Sequence, residues 1–564
     1  MSRIQTHTLL PILLIALVSC RPDRQAALSQ VSPSMAQREV MDCTRVVLNN
    51  PVIPGFNPDP CMIRVDEDYY IVTSSFEWFP AIPVYHSRDL ATWEATGHVL
   101  TRESQADLRG IGNSSGIYAP SIHYHDGRFY VLYTIVSGDF FPYLATPNYI
   151  VWADNINGPW SDPVYINSTG FDPALFFDDD GTCYYMNMLL DFNSEIITGG
   201  ISMQRFDIES LTTTSEPVII FRGTMHGTEG PRIYKRNGYY YLVTAEGGTD
   251  WNHQVTVCRS GQVGGPYELS PHTPLLSSRD HPGHPLQRAG HGSWTETPDG
   301  EWYMAHLASR PVMPQRKSVL GRETCIQKLE WIDDWPLLRG GGALPYLTVE
   351  GPKKGAESFE SGPCRDEFEG KVLLPLYQTL RLPFDTSWVS LSRRPGSLAL
   401  KGRKPFTSRD DQSLVARRIT SLNGRAETAV DYEPVHYRNL AGLVCLYDTR
   451  DFFYLHVSYD DRIGKYLGII QHSSLGSNEP CQRVPLPRNK TVYLAMEINY
   501  DKLQFSYSID GSAWSDIGEP FDFTQLSDEN NRYGFTGSMV GISTQDMVNE
   551  KLYAYFDYFT YEPR

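Results

Sequence analysis

Three carboxyl side chains lie in short motifs that could carry acid–base chemistry: Asp59 in GFNPDP, Asp172 in GFDPALF and Glu229 in TEGPRIY. Hydrolysis of a glycosidic bond needs one carboxylic acid that protonates the leaving oxygen. It also needs one carboxylate that activates water or attacks the anomeric carbon. Two acids suffice for this reaction, and the charge of a third would raise the pKa of the proton donor.

The residues around these acids suggest a division of roles. Asp59 stands between two prolines, which should keep its backbone extended at the entrance of a strand and fix the direction of the carboxylate. A fixed carboxylate suits a general base, whereas the longer Glu229, followed by Gly230, suits a proton donor that reaches across a cleft. Asp172 would then supply the charge that keeps Glu229 protonated.

The elements that must position these acids follow from a hairpin pattern that recurs five times. Each copy has a short apolar alternation, a turn acid or Asn that is usually followed by Gly, and an aromatic-rich strand. The first turn residues lie 54–62 residues apart and are Glu67, Asp126, Asp180, Asn237 and Asp299. Short antiparallel strands repeating at this length predict an all-β fold that begins with a five-bladed β-propeller over residues 50–340.

The blade repeat also predicts which side chains meet. The residue eight positions before each turn should occupy the same place in every blade, where the first strand runs along the central channel. These residues are Asp59, Tyr118, Asp172, Glu229 and His291. Three acids, a phenol and an imidazole are therefore expected to converge, the alternative being loop acids that are merely solvated.

The remainder of the chain divides into segments of different composition. Residues 341–363 are rich in Gly, Pro and Ser and are predicted to be a linker. Residues 364–564 alternate in the manner of two packed antiparallel sheets, which predicts a lectin-like, concanavalin-like β-sandwich. At the other end, residues 1–20 are predicted to be a signal peptide and residues 21–49 an N-terminal linker.

The signal peptide prediction rests on Arg3 and an apolar stretch that is too short to span a bilayer. The sequence LVSC resembles a bacterial lipobox, which would leave Cys20 as a lipidated N-terminus, and simple cleavage nearby is the alternative. We therefore expect an exported protein, either a cell-envelope lipoprotein or a secreted one. Eight further cysteines are thinly spread, so most should be buried thiols, with one or two disulfides after export.

Charge and composition narrow the class of partner. The chain has 564 residues, a formal net charge of −17 and no long run of Lys or Arg. Nucleic acid is therefore excluded, and the membrane enters only through the N-terminal lipid anchor. Aromatic residues make up 12% of the chain, and their flat apolar faces with polar edges suit sugar rings.

Several motifs in fixed order resemble glycoside hydrolase family 43, specifically its two-domain β-xylosidases and α-L-arabinofuranosidases. They are NPVIPGFNPDP, SSFEWFP, GFDPALF, TEGPRIYKRNGYYYLVTAEGGT and LGRETCIQKLEW. The resemblance implies hydrolysis with inversion of configuration, with Asp59 as general base and Glu229 as general acid. It also implies that Asp172 tunes the pKa and the orientation of the acid.

The resemblance implies further substrate-binding residues. Phe76 would form the aromatic wall of the terminal-sugar subsite, with Trp78 shaping it, and Arg322 would contact sugar hydroxyls near Asp172. Phe535 resembles the aromatic residue of a sandwich hairpin that closes the pocket. The family also has a central histidine at the position of His291, which forms hydrogen bonds in some members and belongs to a calcium site in others.

This chain departs from the family pattern at Tyr118, where the β-xylosidases carry tryptophan. The expected activity is exo-acting release of a terminal pentose, β-D-xylose or α-L-arabinofuranose, from xylo- or arabino-oligosaccharides. No cofactor is expected to be required, with calcium near His291 as the open alternative. Two other function classes remain: a retaining, invertase-type five-bladed glycosidase, and a non-catalytic carbohydrate-binding propeller.

Overall fold

The computed structural model describes residues 44–138, 143–191, 198–353, 362, 364–531 and 534–564. Within these residues the regular secondary structure is almost entirely β-strand. The exceptions are two short 3-10 helices, Phe523–Gln525 and Asp528–Asn530. No helix of the described residues is both long and apolar enough to cross a membrane. The predicted signal peptide, with Cys20, lies outside the described residues.

The N-terminal part is a five-bladed β-propeller, as predicted, and each blade is an antiparallel sheet of four strands in chain order. Blades III and IV each carry one additional short strand on the third strand. The strands are, for blade I, Cys61–Val65, Asp68–Val72, Ala81–Ser87 and Glu94–Leu100; for blade II, Gly116–His125, Arg128–Val136, Asn148–Ala153 and Val164–Asn167; for blade III, Ala174–Phe177, Cys183–Leu190, Thr198–Asp207 and Thr212–Thr213, with Val218–Phe221; for blade IV, Glu229–Arg236, Tyr239–Glu246, Gln254–Ser260 and Glu268–Leu269, with Leu276–Ser277; for blade V, Gln287–Glu296, Trp302–Ser309, Glu323–Ile332 and Trp335–Leu338.

Local turn chemistry explains why the blades could be counted from sequence. In two of the hairpins the turn is an Asx–Gly pair in which both residues have positive φ: 48° and 79° at Asp126 and Gly127, and 51° and 81° at Asn237 and Gly238. Such turns match the right-handed twist of the flanking strands. The alternating apolar residues on either side then face the neighbouring blades.

Five apolar clusters pack the five blade-to-blade interfaces, one cluster to each interface. The clusters include Val72, Val84, Ile122 and Val131 between blades I and II, Leu132 and Tyr185 between II and III, Met186 and Leu242 between III and IV, Val257 and Met304 between IV and V, and Ile71 and Tyr303 between V and I. The ring is thus held by packing between sheets, and the first strands of the blades are directed towards a common centre.

The two predicted linkers are not simple linkers. The segments 21–49 and 341–363 contain the strands Arg45–Asn49 and Thr348–Lys353, which pair with each other in antiparallel fashion. Leu48 and Val349 of this ribbon are buried in the cluster that joins blades V and I. The Gly and Pro content of the second segment concealed a pairing whose partner lies about 300 residues away in the chain.

The C-terminal part is a β-sandwich of an eight-stranded and a seven-stranded antiparallel sheet, as predicted. A large apolar core lies between the sheets and includes Leu443, Leu455, Leu494, Phe505 and Phe556. The first sheet has Arg365–Asp366, Val389–Ser390, Leu398–Lys401, Asn423–Asp431, Val492–Asn499, Lys502–Ser508, Ser515–Asp522 and Tyr553–Pro563; the second has Ser413–Arg418, Asn439–Leu446, Phe452–Asp460, Gly464–Ser473, Gly476–Asn478, Val484–Pro485 and Met539–Asp546.

The propeller and the sandwich are joined through backbone pairing as well as side-chain packing. The short strand Trp78–Phe79 of the propeller pairs with Thr379–Leu380 of the sandwich part. Trp78 is fully buried and packs in a cluster with Leu414 and Tyr454 of the sandwich. Trp78 therefore belongs to the interface core rather than to the wall of a sugar subsite.

The cysteines of the described residues are all unpaired. Five of the seven are buried, Cys364 is exposed and Cys481 is intermediate. The buried thiols agree with the sequence prediction, whereas no disulfide is present among the described residues. Cys20 and Cys43 lie outside them.

Candidate active site

A cavity of about 840 Å³ opens at the centre of the propeller, on the side that faces the sandwich. Every blade and three stretches of the sandwich contribute to its wall. The lining residues include Asp59, Phe76, Ser114, Tyr118, Phe171, Asp172, Thr198, His226, Glu229, Thr249, His291 and Arg322 from the propeller, and Thr407, Arg409, Thr449, Arg450 and Phe535 from the sandwich. The five residues that the blade repeat selected thus share one cavity.

The residues that lead into the blades have unusual backbone geometry. Asp59, Asp172 and His291 have φ values of 56°, 58° and 54°, in the left-handed region. The expectation that the flanking prolines keep Asp59 extended was therefore wrong, although the strand Cys61–Val65 does begin two residues later. A proline disfavours the right-handed helical region for its predecessor, and Asp tolerates the left-handed one when local bonds stabilise it.

Asp59 is buried at the bottom of the cavity and held by two short contacts. Its Oδ1 accepts a hydrogen bond from Arg322 Nη1 at 2.8 Å, and its Oδ2 accepts one from the Ser74 hydroxyl at 2.7 Å. Burial alone would raise the pKa of Asp59, but the charge of Arg322, together with His291 and Ser74, lowers it below its usual range. Asp59 is therefore ionised at neutral pH.

Asp172 and Glu229 are the other two acids of the carboxyl cluster, and the charge of one affects the pKa of the other. Burial and the charge of Asp59 raise the pKa of Asp172 to about 7. Burial and the charges of Asp172 and Asp59 raise the pKa of the half-buried Glu229 well above its usual range. Glu229 is therefore a carboxyl that retains its proton towards neutral pH.

Two groups decide where that proton resides. The backbone N–H of Gly230 donates to Asp172 Oδ2 at 2.9 Å, and the positive charge of Arg232 also favours the ionised form of Asp172. No hydrogen bond to the Glu229 carboxyl is found in the described part of the chain, so its protonated form is favoured. Sequence reasoning had not singled out Arg232, whose position directly after the motif TEGP was its only signal.

Arg322 acts on more than one acid of the site. Its buried side chain donates to Asp59, and its positive charge also lowers the pKa of Asp172, near which the family resemblance places it. Its other terminal nitrogen, Nη2, donates to the backbone carbonyl of Phe535 at 3.1 Å. One guanidinium thus contacts both a carboxylate of the propeller and the backbone of the sandwich.

His291 packs in the centre of the cavity floor. Its Nδ1 lies 3.7 Å from Asp59 Oδ1, and a Cβ atom added to Gly230 would lie 2.9 Å from its ring. Burial lowers the pKa of His291 to about 4, so the ring is neutral near pH 7. The close approach explains why a glycine follows Glu229.

The surroundings of His291 do not fit a calcium site. Calcium binds about six to eight oxygen ligands, and no group of three or more His, Cys, Asp or Glu side chains suited to a metal occurs in the described part of the chain. The carboxylate that His291 Nδ1 faces, that of Asp59, is already paired with Arg322.

Four aromatic rings form one wall of the cavity. Phe76 lies 5.1 Å from Tyr118 and 5.9 Å from Phe535, measured between ring centroids, and Tyr118 lies 5.8 Å from Phe171. Phe76 also has positive φ, at 48°, so its backbone is held in a sparsely populated region. The sequence had identified Phe76, Tyr118 and Phe535, and Phe171 next to Asp172 completes the wall.

A propeller loop that sequence reasoning missed connects this wall to the sandwich. The Ser114 hydroxyl accepts a hydrogen bond from the Phe535 N–H at 3.1 Å, and the Ser114 carbonyl accepts one from the Tyr118 hydroxyl at 3.2 Å. The side chain of Asn113 exchanges hydrogen bonds with Thr449 of the sandwich. The propeller and sandwich partners of these bonds are more than 300 residues apart in the chain, which left no local pattern to detect.

Comparison with protein families agrees with both parts of the fold. The model for glycosyl hydrolases family 43 matches residues 48–336. The model for the β-xylosidase C-terminal concanavalin A-like domain matches residues 365–562. The two matches cover the propeller and the sandwich in the order that the structure shows.

Individual relatives cover nearly the whole chain. A xylan 1,3-β-xylosidase of Vibrio sp is 43% identical over 91% of this chain and 99% of its own length. A non-reducing end α-L-arabinofuranosidase of Bacteroides ovatus is 33% identical, over 90% and 94%. The crystal structure of a xylan β-1,4-xylosidase from Bacillus halodurans C-125 has 44% identity and a TM-score of 0.89, and the match covers 91% of this chain and 100% of that one. The chain belongs to glycosyl hydrolase family 43.

Proposed function

We propose that this protein is an exo-acting, inverting glycoside hydrolase that releases a terminal pentose from xylo- or arabino-oligosaccharides. The observation that carries the proposal is the arrangement of three carboxyls in one cavity. One of them is ionised beside Arg322, and burial and like charges raise the pKa of the other two, so an ionised base and a protonated acid share the cavity. This is the protonation state that acid–base hydrolysis of a glycoside requires.

The roles follow from the contacts of each acid. Glu229 donates its proton to the glycosidic oxygen as the bond between this oxygen and the anomeric carbon breaks. Asp59 removes a proton from the water that attacks the anomeric carbon from the opposite face, so the released sugar has inverted configuration. The Gly230 N–H and the charge of Arg232 favour the ionised form of Asp172, and that charge raises the pKa of Glu229 and so favours the protonated acid.

The sandwich makes the cavity suitable for a chain end. Phe535 packs against Phe76 and Tyr118, and the loops with Arg409 and Arg450 add the sandwich part of the cavity wall. A cavity that is narrowed by a second domain in this way admits the terminal unit of an oligosaccharide and disfavours the middle of a polymer. This supports exo-action on short substrates.

Among the pentoses, we expect β-D-xylose to be preferred. Relatives named as β-xylosidases reach 41% and 43% identity, whereas the relative named as an α-L-arabinofuranosidase reaches 33%. Tyr118 provides a smaller ring than the tryptophan of the xylosidases that the sequence resembles, and its hydroxyl points to Ser114. Activity on α-L-arabinofuranosides is therefore expected as well, at a lower level.

The first experiment compares hydrolysis of an aryl β-D-xylopyranoside and an aryl α-L-arabinofuranoside by the wild type and by Glu229→Ala. Activity on either substrate should collapse in the variant. The anomer that is released first, followed by NMR, should be inverted relative to the substrate. Release of the retained anomer would overturn the inverting mechanism, and no activity from folded protein on these or on xylobiose would favour a carbohydrate-binding propeller.

The retaining alternative has less support in the structure. Retention requires an unprotonated nucleophile close to the acid, at about 5 Å. Here the carboxyl most closely coupled to Glu229 is Asp172, whose Oδ2 is occupied by the Gly230 N–H. The invertase-type enzymes also place a cysteine after the catalytic glutamate, where this chain has Gly230.

We also propose that the protein is exported and carries a lipid on Cys20. The support is the sequence alone, namely the apolar stretch before LVSC. Expression in a bacterial host with labelled palmitate should label the wild type and not Cys20→Ala. An unlabelled wild-type protein that is cleaved and secreted would show simple export instead.

A further inference from the structure

The sandwich side of the cavity mouth is formed by two loops that present basic side chains. Thr407 and Arg409 come from one loop, and Thr449 and Arg450 come from the other. The cavity volume, about 840 Å³, lies in the range that encloses a drug-sized ligand, so there is room for sugar units on the leaving side of the scissile bond. These loops are therefore placed to contact the leaving group.

The loop of Arg450 is held in a defined position. Asp448 Oδ1 accepts hydrogen bonds from the backbone N–H groups of Arg450, at 2.6 Å, and Asp451, at 3.1 Å. Thr449 is fixed to the propeller by its hydrogen bonds with Asn113. The turn thus directs the Arg450 side chain, which is 62% exposed, towards the cavity mouth.

Both guanidinium groups retain hydrogen-bonding capacity for a ligand. Arg409 is exposed, forms no ion pair among the described residues and donates only weakly, from Nη1 to the Gly110 carbonyl at 3.4 Å. Arg450 Nη2 lies 3.6 Å from Asp448 Oδ2, which is longer than a hydrogen bond.

The acids nearest to Arg409 in the chain form ion pairs with a different basic residue. Asp410 and Asp411 both pair with Lys404, at 2.8 and 3.0 Å. Apart from the three carboxyls of the catalytic cluster, no acidic side chain of the described residues lines the cavity. The mouth therefore carries positive charge above an acidic floor.

We propose that Arg409 and Arg450 form a leaving-group subsite for a sugar that bears a carboxylate, that is, a uronic acid on the leaving side of the pentose. Guanidinium groups bind carboxylates through paired N–H···O bonds, and they are the preferred side chains for this recognition. The inference rests on the proposed glycosidase function and adds the class of leaving group.

Charge balance makes such a subsite necessary for an acidic substrate. The chain has a net charge of −17, and the cavity floor holds three carboxyl groups against one guanidinium group, that of Arg322. An anionic oligosaccharide would be repelled by this surface unless basic groups at the mouth offset the repulsion. Arg409 and Arg450, neither of which donates a side-chain hydrogen bond to an acid of the described residues, would do so at the cavity mouth.

The test uses one pentosyl oligosaccharide with a uronic acid on its leaving side, compared with the methyl ester of the same compound. The two substrates differ only in the negative charge. For the wild type we expect a kcat/KM roughly five- to tenfold higher for the acid than for the ester at low salt. The ratio should shrink towards one at about 0.5 M salt, which screens exposed charges.

The variants Arg409→Gln, Arg450→Gln and the double variant should lower this acid-to-ester ratio stepwise, to about one in the double variant. Arg462→Gln is the matched control because Arg462 is an exposed arginine of the same domain that does not line the cavity. The control variant removes the same formal charge and should keep the wild-type ratio.

Two outcomes would overturn the subsite. If the double variant loses equal factors on acid and ester, the arginines bind neutral hydroxyls. If the wild type shows a ratio of one, no carboxylate is recognised. Hydrolysis of a neutral aryl pentoside, measured in parallel, separates these outcomes from failure of the proposed function, since that failure would abolish activity on the neutral substrate as well.

Discussion

A buried ion pair holds the Phe535 stretch (residues 534–536) of the sandwich against the propeller. Arg288 Nη1 donates to Asp528 Oδ2 at 2.8 Å, and the two side chains are 8% and 2% exposed. The Tyr447 hydroxyl donates to Asp528 Oδ1 at 2.7 Å and accepts a hydrogen bond from the Thr536 N–H at 3.3 Å. Loss of Arg288 should therefore disturb both the domain interface and the position of Phe535.

Arg288→Met leaves the Asp528 carboxylate buried without its counter-charge. Breaking a buried pair from one side costs about 3–5 kcal/mol of the free energy of unfolding. Burial already raises the pKa of Asp528 to about 6, although Arg288 opposes this rise, so the variant should have a still higher pKa. An acid whose folded pKa lies above its unfolded pKa takes up a proton on folding, so stability falls as pH rises through the folded value.

The destabilisation by Arg288→Met should thus be larger at about pH 8 than at about pH 5, where the carboxyl can be neutralised. Urea unfolding at both pH values measures it. The double variant Arg288→Met/Asp528→Leu should regain part of the loss, because no buried charge remains. With the Phe535 stretch less firmly held, KM should rise more than kcat falls.

Arg310→Met is the matched control. Arg310 also crosses the interface, from its pair with Glu323 to the Thr420 carbonyl, but it makes no hydrogen bond to the Phe535 stretch. It should lose stability without the rise in KM. A loss in Arg288→Met that is equal at both pH values, or one with unchanged KM, would refute the role assigned to the Arg288–Asp528 pair.

Three further substitutions test the site. Asp59→Asn should lower kcat/KM by about 10²–10⁴-fold and remove the acidic limb of its pH profile. In the wild type this limb should lie below the usual carboxyl range, because Arg322 lowers the pKa of Asp59. An unchanged acidic limb in the variant would contradict the role of Asp59 as the base. Gly230→Ala should lower activity, because at this residue, with φ 61°, the added Cβ would press against the His291 ring. Gly238→Ala is the control: its φ is also positive but its Cβ would meet open space, so it should cost only about 1–2 kcal/mol of stability. Equal activity of the two variants on aryl pentosides would argue against the contact. Tyr118→Trp should raise the ratio of kcat/KM for xyloside over arabinofuranoside by about tenfold, and an unchanged ratio would exclude Tyr118 as a determinant of sugar preference.

Features that are encoded locally were predictable from the sequence. Asx–Gly turns such as Asp126–Gly127 set two-residue hairpins, and their spacing allowed the five blades to be counted and the leading residues to be aligned. Once the blades were aligned, the convergence of the leading residues followed from the symmetry of a propeller. No long-range contact was needed for this step.

Features that depend on contacts distant in the chain were not predictable. The ribbon Arg45–Asn49 with Thr348–Lys353 was concealed in two apparent linkers, because each strand is short and only its partner makes it a strand. The hydrogen bond from Arg322 to Asp59, 263 residues away, was not predicted either. The left-handed φ of Asp59 likewise depends on Arg322 and Ser74, which hold the carboxylate after folding.

The position of Arg322 links the chemistry of the propeller to the docking of the sandwich. Its Nη1 lowers the pKa of Asp59, while its Nη2 donates to the Phe535 carbonyl, so the same buried guanidinium serves both. Burial strengthens the interaction of Arg322 with Asp59, because water is excluded from the pair. The aromatic contacts of Phe535 with Phe76 and Tyr118 provide part of that exclusion. The sandwich therefore contributes to the ionisation of the base as well as to the shape of the cavity, which explains why a domain without any of the three acids belongs to the active site.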